Sequence, residues 1–222
     1  MKQLSVLAFG LTVAFATGAA WSQDKIGDAA AGAGKAAMCV GCHGIVRYQT
    51  NFPTVYKVPK IGGQSAKYII SSLTAYQKDE RKHPSMRAIS QSLTEQDMAD
   101  LAAFYSSQGK GGEAKEPIKL DKVPEPATAV AELIKKGACI SCHGEGFRKP
   151  IDPSYPKIAG QYPDYVSAAL KAYKVDHEYF GRTNAIMGGI AKQFSNAELS
   201  RIADYVSTID SELRTPVESR FR

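Results

Sequence analysis

Four cysteines occur in this 222-residue chain, in two pairs each followed at once by a histidine: Cys39-Val-Gly-Cys42-His43-Gly44 and Cys139-Ile-Ser-Cys142-His143-Gly144. Two thiols one helical turn apart can each add to a vinyl group of a haem, and the next residue then points its imidazole at the iron from the same side. The spacing predicts two covalently bound haem c groups, each tethered so that it cannot dissociate. Other cysteine chemistries fit less well. Disulfides are the ordinary use of cysteine in a secreted chain, but every cysteine here falls inside an attachment pattern. Zinc needs a fourth ligand and usually draws on separated pairs. A thioredoxin-like pair would close a strand of an α/β pattern, and no such pattern is visible.

Elimination among the five methionines gives the second axial ligand of each iron. Met1 leaves with the leader, Met38 adjoins Cys39 on the side of the ring that His43 takes, and Met98 falls on the core face of a helix. Met86 and Met187 remain, 43 and 44 residues after their histidines, in what reads as loops just before the last helix of each half. A thioether opposite an imidazole favours reduced iron and raises the potential. His83 is the competing ligand, and would give a bis-histidine site of lower potential. It has no histidine counterpart in the second half, where His177 lies ten residues before Met187. Both histidines are therefore assigned surface roles, and neither reads as catalytic.

The elements that must hold these groups come from an internal duplication. Residues 24–108 recur at about 127–210: Pro59-Lys-Ile-Gly-Gly-Gln64 returns as Pro156-Lys-Ile-Ala-Gly-Gln161, and Tyr68, Leu73 and Tyr76 return as Tyr165, Leu170 and Tyr173. Both copies end in an amphipathic helix with a capping-box start, Thr94-Glu-Gln-Asp97 and Ser195-Asn-Ala-Glu198. Met98, Leu101, Ala102 and Tyr105 share one face, as do Leu199, Ile202, Ala203 and Val206. Between the copies, residues 109–126 are rich in Gly, Lys, Glu and Pro and read as a linker. The proline-lysine turns are expected to pass over the haem edge with Ile61 and Ile158 against it. Arg81 and Arg182 are placed to meet propionates, with plain surface charge as the alternative.

Residues 1–22 read as a secretory signal peptide: Lys2, an apolar run from Leu4 to Ala16, then Ala19-Ala-Trp-Ser22. Cleavage is expected after Ser22 or after Ala20, and an uncleaved anchor is the competing reading. A periplasmic location follows. The 28 Lys+Arg against 22 Asp+Glu give a net +6, which suggests nucleic acid only if the positive residues cluster. They are scattered, and the propionates of two haems would cancel about four of them. A basic patch around Lys57, Lys60 and Lys67 is the candidate docking face for an acidic redox partner.

Over essentially the whole mature chain the sequence resembles the dihaem cytochrome c4 family. The resemblance rests on both attachment motifs, both Pro-Lys-Ile-Gly/Ala-Gly-Gln turns, Met86 and Met187, and Ala99-Asp-Leu-Ala-Ala-Phe-Tyr105 with its echo Ile202-Ala-Asp-Tyr205. It implies an all-α fold of two tandem class I cytochrome c domains, 23–108 and 127–222, meeting about a pseudo-twofold axis with their propionate edges facing. It also implies His/Met ligation at both irons, a quinol-oxidising complex as donor, and a haem-copper oxidase or another acceptor. Three stretches depart from the family pattern. Residues 45–58 are longer and more aromatic, with Tyr48, Phe52 and Tyr56; residues 151–155 are irregular; and Asp176 to Phe180 is an insertion relative to the first copy.

Three functions compete on this reading. A periplasmic carrier of single electrons is favoured because both irons are closed by a protein ligand. The dihaem subunit of a dedicated periplasmic dehydrogenase would have the same fold. A dihaem peroxidase would need an open iron position. No nucleic acid and no small-molecule substrate are expected, and loose association with a membrane surface is left open.

Overall fold

The computed structural model describes residues 25–110, 120 and 123–216, so the expected signal peptide and most of the expected linker lie outside the described residues. Among the described residues each copy supplies five α-helices. The first gives α1 (Ala29–Lys35), α2 (Ala37–His43), α3 (Ala66–Gln77), α4 (Pro84–Gln91) and α5 (Glu95–Ser107). The second gives α6 (Thr128–Lys136), α7 (Cys139–His143), α8 (Pro163–Ala172), α9 (Ala185–Ala191) and α10 (Asn196–Ser207). They correspond one for one.

The closing helices begin where the sequence places their caps. Asp97 N–H donates to Thr94 Oγ1 at 3.1 Å while Thr94 N–H donates to the Asp97 carboxylate at 2.9 Å. Ser195 and Glu198 repeat the exchange at 3.2 and 2.7 Å. Each box satisfies two N–H groups that a helix start otherwise leaves bare. The apolar faces then bury as expected. Leu101, Ala102 and Tyr105 pack on Ala36, Val40 and Ile69, and Leu199, Ile202 and Val206 pack on Leu133, Ile134 and Phe194.

In the first half, α1 crosses α5 at Gly32, where a Cβ would lie 2.1 Å from the Asp100 carbonyl oxygen. Only glycine permits that approach. The crossing is tied by Asp100, whose carboxylate accepts from Asp28 N–H at 2.9 Å, from Lys35 Nζ at 2.5 Å and from Gln96 Nε2 at 2.9 Å.

The halves meet through the repeated turns. Gln64 Nε2 donates to the Lys157 carbonyl at 2.9 Å and its Oε1 accepts from Lys157 N–H at 3.0 Å. Gln161 does the same to Lys60, at 2.9 and 2.9 Å. Each lysine side chain also crosses, Lys60 Nζ to the Gly160 carbonyl at 2.7 Å and Lys157 Nζ to the Gly63 carbonyl at 2.9 Å. Contacts that exchange between equivalent residues are the signature of a twofold arrangement, here within one chain.

Among the described residues four two-residue strands join this helical frame. β1 (Gln49–Thr50) pairs with β2 (Tyr56–Lys57) inside the aromatic loop, and β3 (Arg81–Lys82) pairs with β4 (Gly181–Arg182) across the two halves. The segment after α10 also returns to the first half, where Arg214 and Gly62 exchange backbone hydrogen bonds of 3.0 and 3.1 Å.

Two residues of the expected docking patch are engaged in this interface: Lys57 Nζ is ion-paired to Asp164 at 2.9 Å, and Lys60 Nζ donates to the Gly160 carbonyl at 2.7 Å.

Candidate haem-binding site

A cavity of about 710 Å³ runs through both halves, and all eight residues singled out for haem line it: Cys39, Cys42, His43, Met86, Cys139, Cys142, His143 and Met187. Each attachment motif lies on a short helix, α2 or α7, which sets its two thiols one turn apart with the histidine as the last helical residue. The four thiols are free of disulfides. Burial pushes the Cys39 and Cys139 thiols up, so both are held protonated.

Both histidines are oriented by the repeated turn. His43 Nδ1 lies 2.9 Å from the Pro59 carbonyl oxygen and His143 Nδ1 lies 3.0 Å from that of Pro156. A carbonyl can only accept, so Nδ1 carries the hydrogen and the Nε2 lone pair is left for a metal. Burial lowers His43 to about 4, reinforced by the nearby Arg81 and His83, against the opposing pull of the Pro59 hydrogen bond. Burial also lowers His143. Both imidazoles are neutral, as ligation requires.

The α7 motif ends differently from its twin. Gly144 follows His143 with φ +75°, and a Cβ there would meet the Lys149 carbonyl oxygen at 1.9 Å.

The methionines are not in loops, as the sequence suggested, but in the first turns of α4 and α9. Pro84 starts α4, its missing N–H costing nothing at a helix start. His83 Nδ1 accepts from Met86 N–H at 3.4 Å and Asn184 Oδ1 accepts from Met187 N–H at 2.9 Å. These are equivalent caps, so the counterpart of His83 is Asn184. Burial, with help from Arg81, moves His83 below its ordinary value, which keeps it a neutral acceptor. His177 stacks on Phe180 with ring centroids 4.2 Å apart and accepts from Tyr179 N–H at 3.2 Å, in the exposed inserted loop.

Arg81 is not surface charge, being only 9% exposed. Both Arg81 and Arg182 line the cavity, and among the described residues no carboxylate is ion-paired to either. Arg81 Nε is buried without a hydrogen-bond partner, and so is Ser72 Oγ on the same cavity wall. A buried cation without an anion is costly. An apolar cavity with paired thiols, neutral imidazoles and unpaired guanidiniums therefore fits a planar iron porphyrin that brings carboxylates of its own.

The comparisons agree with this chemistry. The cytochrome c family profile matches residues 29–108 and 127–210. Cytochrome c4 of Azotobacter vinelandii is 30% identical over 190 residues, covering 81% of this chain and 88% of that protein. The chain belongs to the cytochrome c4 family. The crystal structure of reduced recombinant cytochrome c4 from Pseudomonas stutzeri superposes with a TM-score of 0.60 at 26% identity, covering 82% of this chain and 99% of that one. A thiosulfate dehydrogenase electron acceptor from Stutzerimonas stutzeri is 26% identical over 186 residues, covering 80% of this chain and 82% of that protein. This member of the family is an electron-transfer protein with two covalently attached haem c groups, not an enzyme.

Two features escaped the sequence reading. The cross-interface glutamines were quoted only as the ends of turns, although a neutral amide kept in both copies was the available signal. The cap shared by His83 and Asn184 was hidden because one copy uses an imidazole and the other an amide.

Proposed function

We propose that one haem would be attached through Cys39 and Cys42 and held by His43 and Met86, and the other attached through Cys139 and Cys142 and held by His143 and Met187. The domains are 23–108 and 127–222, joined by the 109–126 linker. The observation that carries this assignment is the placement of both methionines on the cavity wall that holds the two histidines, each anchored by an equivalent side-chain cap. A haem held by these residues would supply one-electron redox chemistry. The chain's residues hold each imidazole in the ligating tautomer, exclude water with an apolar wall, and supply cations to the propionates.

The carrier works in the periplasm after removal of residues 1–22, between a quinol-oxidising complex and a haem-copper oxidase or other acceptor. Among the described residues no helix is long and apolar enough to cross a membrane. A second reading, the electron acceptor of a dedicated periplasmic dehydrogenase, is favoured by the relative named for thiosulfate dehydrogenase.

Optical spectra of the mature protein with a pyridine haemochrome count test the ligands. Two haems per chain, with the weak far-red sulfur-to-iron band, are expected. Met86→Ala and Met187→Ala should each remove about half of that band and create one high-spin iron. A band that survives either substitution undisturbed would remove that methionine from the assignment.

A further inference from the structure

Tyr68 and Tyr165, Tyr76 and Tyr173, and Arg81 and Arg182 are equivalent residues of the two copies, yet they do not form two separate sets. Each guanidinium covers a ring of its own half, Arg81 over Tyr76 at 4.6 Å and Arg182 over Tyr173 at 5.3 Å. Both then converge on one hydroxyl. Arg81 crosses the interface to donate to Tyr165 OH at 2.6 Å, and Arg182 donates to the same oxygen at 3.2 Å. Tyr68 receives only Arg81, at 3.4 Å.

The two arginines are also direct partners on the antiparallel strands β3 and β4. Like charges in that position repel, and a phenol oxygen neutralises neither. Burial alone would raise the Tyr165 phenol, yet the two guanidiniums outweigh it and lower it to about 8. The site is short of negative charge, and Arg81 Nε still has no acceptor.

We infer that Arg81, Tyr165 and Arg182 form a single carboxylate-binding cluster that takes propionates from both haems, so that a guanidinium of the first domain helps set the potential of the second domain's haem. The inference rests on two haems being attached as proposed above. Reduction adds a negative charge to an iron site, and a buried cation that is weakly screened by salt favours it. Removing Arg81 therefore lowers both potentials, because its shortest hydrogen bond is to the other half. Tyr165 acts as a positioning residue that aims both forks at the same place.

The test uses the full-length mature holoprotein as wild type, Arg81→Gln, Arg81→Lys, Tyr165→Phe and Tyr68→Phe. Each is titrated spectroelectrochemically, with the two haems followed separately through their own paramagnetically shifted methyl signals. Arg81→Gln should lower the reduction equilibrium constant of both haems about threefold, which is about 28 mV for a one-electron couple. Arg81→Lys, which keeps the charge, should retain most of both potentials. Tyr165→Phe should move both haems, and Tyr68→Phe the first alone. A shift confined to the first haem in Arg81→Gln, or none at either, would overturn the shared cluster. A wild-type count of two haems per chain holds the two-haem reading fixed, so such a result counts against the cluster and not against that reading.

Discussion

Replacing Gln161 with alanine should unfasten the two domains. Gln161 is 5% exposed, and its amide makes both hydrogen bonds available to the Lys60 backbone, one to the N–H and one to the carbonyl. Alanine reaches neither. An interior backbone group left without a partner costs about 1–3 kcal/mol, and these two are only partly buried, so a loss of about 3 kcal/mol is expected for the pair. At about 2–4 °C per kcal/mol for a chain of this size, the midpoint should fall by about 6–12 °C. Gln64→Ala should cost a similar amount by symmetry. The double variant should cost less than the sum of the two, since both glutamines close the same interface and an interface already opened has less left to lose. Calorimetry of the mature holoprotein measures all three, and the double variant should show two separated transitions where the wild type shows one. Strict additivity, or a midpoint shift below about 2 °C in both single variants, would mean that the turns touch without holding the domains together.

Four further outcomes follow from particular contacts. Asp100 is held at about 2, below its ordinary 3.8, first by Asp28 N–H and then by Lys35 and Gln96. A lowered folded-state value contributes stability above 3.8 that is lost as pH falls towards 2. The difference between wild-type and Asp100→Asn melting temperatures should therefore shrink across that window and level off below it. Gly144→Ala should destabilise the second domain by about 3 kcal/mol or more, since it joins a positive φ to a backbone clash, and haemochrome analysis should find that domain poorly loaded. His83→Asn should preserve the far-red band by reproducing the Asn184 cap, whereas His83→Ala should weaken it after losing about 1 kcal/mol of capping. Asp176→Ala should leave the melting temperature unchanged within error, because its bond to Lys82 is made by a carboxylate that is 77% exposed.

What the sequence revealed depended on how local the physics was. Attachment motifs, capping boxes and amphipathic faces are written within a few residues, and the structure bears out the Thr94 and Ser195 caps and the burial of Met98. The repeat extended that legibility to the whole fold, because a second copy of each signal serves as a control on the first. Features that need both halves in place were not visible. Lys57 and Lys60 read as solvated charges because Asp164 and Gln161 lie 107 and 101 residues away. Arg81 was ambiguous for the same reason, its partner Tyr165 being 84 residues distant. The aromatic loop and the insertion stood out as departures, but their contact, Phe52 against Tyr179 at 5.4 Å, is again one between halves.

The retained Pro-Lys-Ile-Gly/Ala-Gly-Gln turn joins the interface between the two halves to the histidine of each attachment motif. Its first residue orients the histidine of the attachment motif through a carbonyl, its lysine backbone is gripped by the opposite glutamine, and its isoleucine lines the cavity. The next residue after Pro59 is Lys60, so the hydrogen bond that the His43 ring donates to the Pro59 carbonyl and the one that Lys60 N–H donates to Gln161 share one peptide group. The second copy repeats this with Pro156 and Lys157. Because one peptide plane carries both contacts, a displacement of one domain is expected to move the histidine that the turn holds. The same wiring predicts that Gln161→Ala changes the ligand field of the first haem as well as the melting temperature, and electron paramagnetic resonance of the oxidised protein is the measurement that separates this from simple loosening. An altered signal from the first haem at temperatures well below the melting transition is expected, and an unchanged one would mean that the turn transmits nothing to the iron.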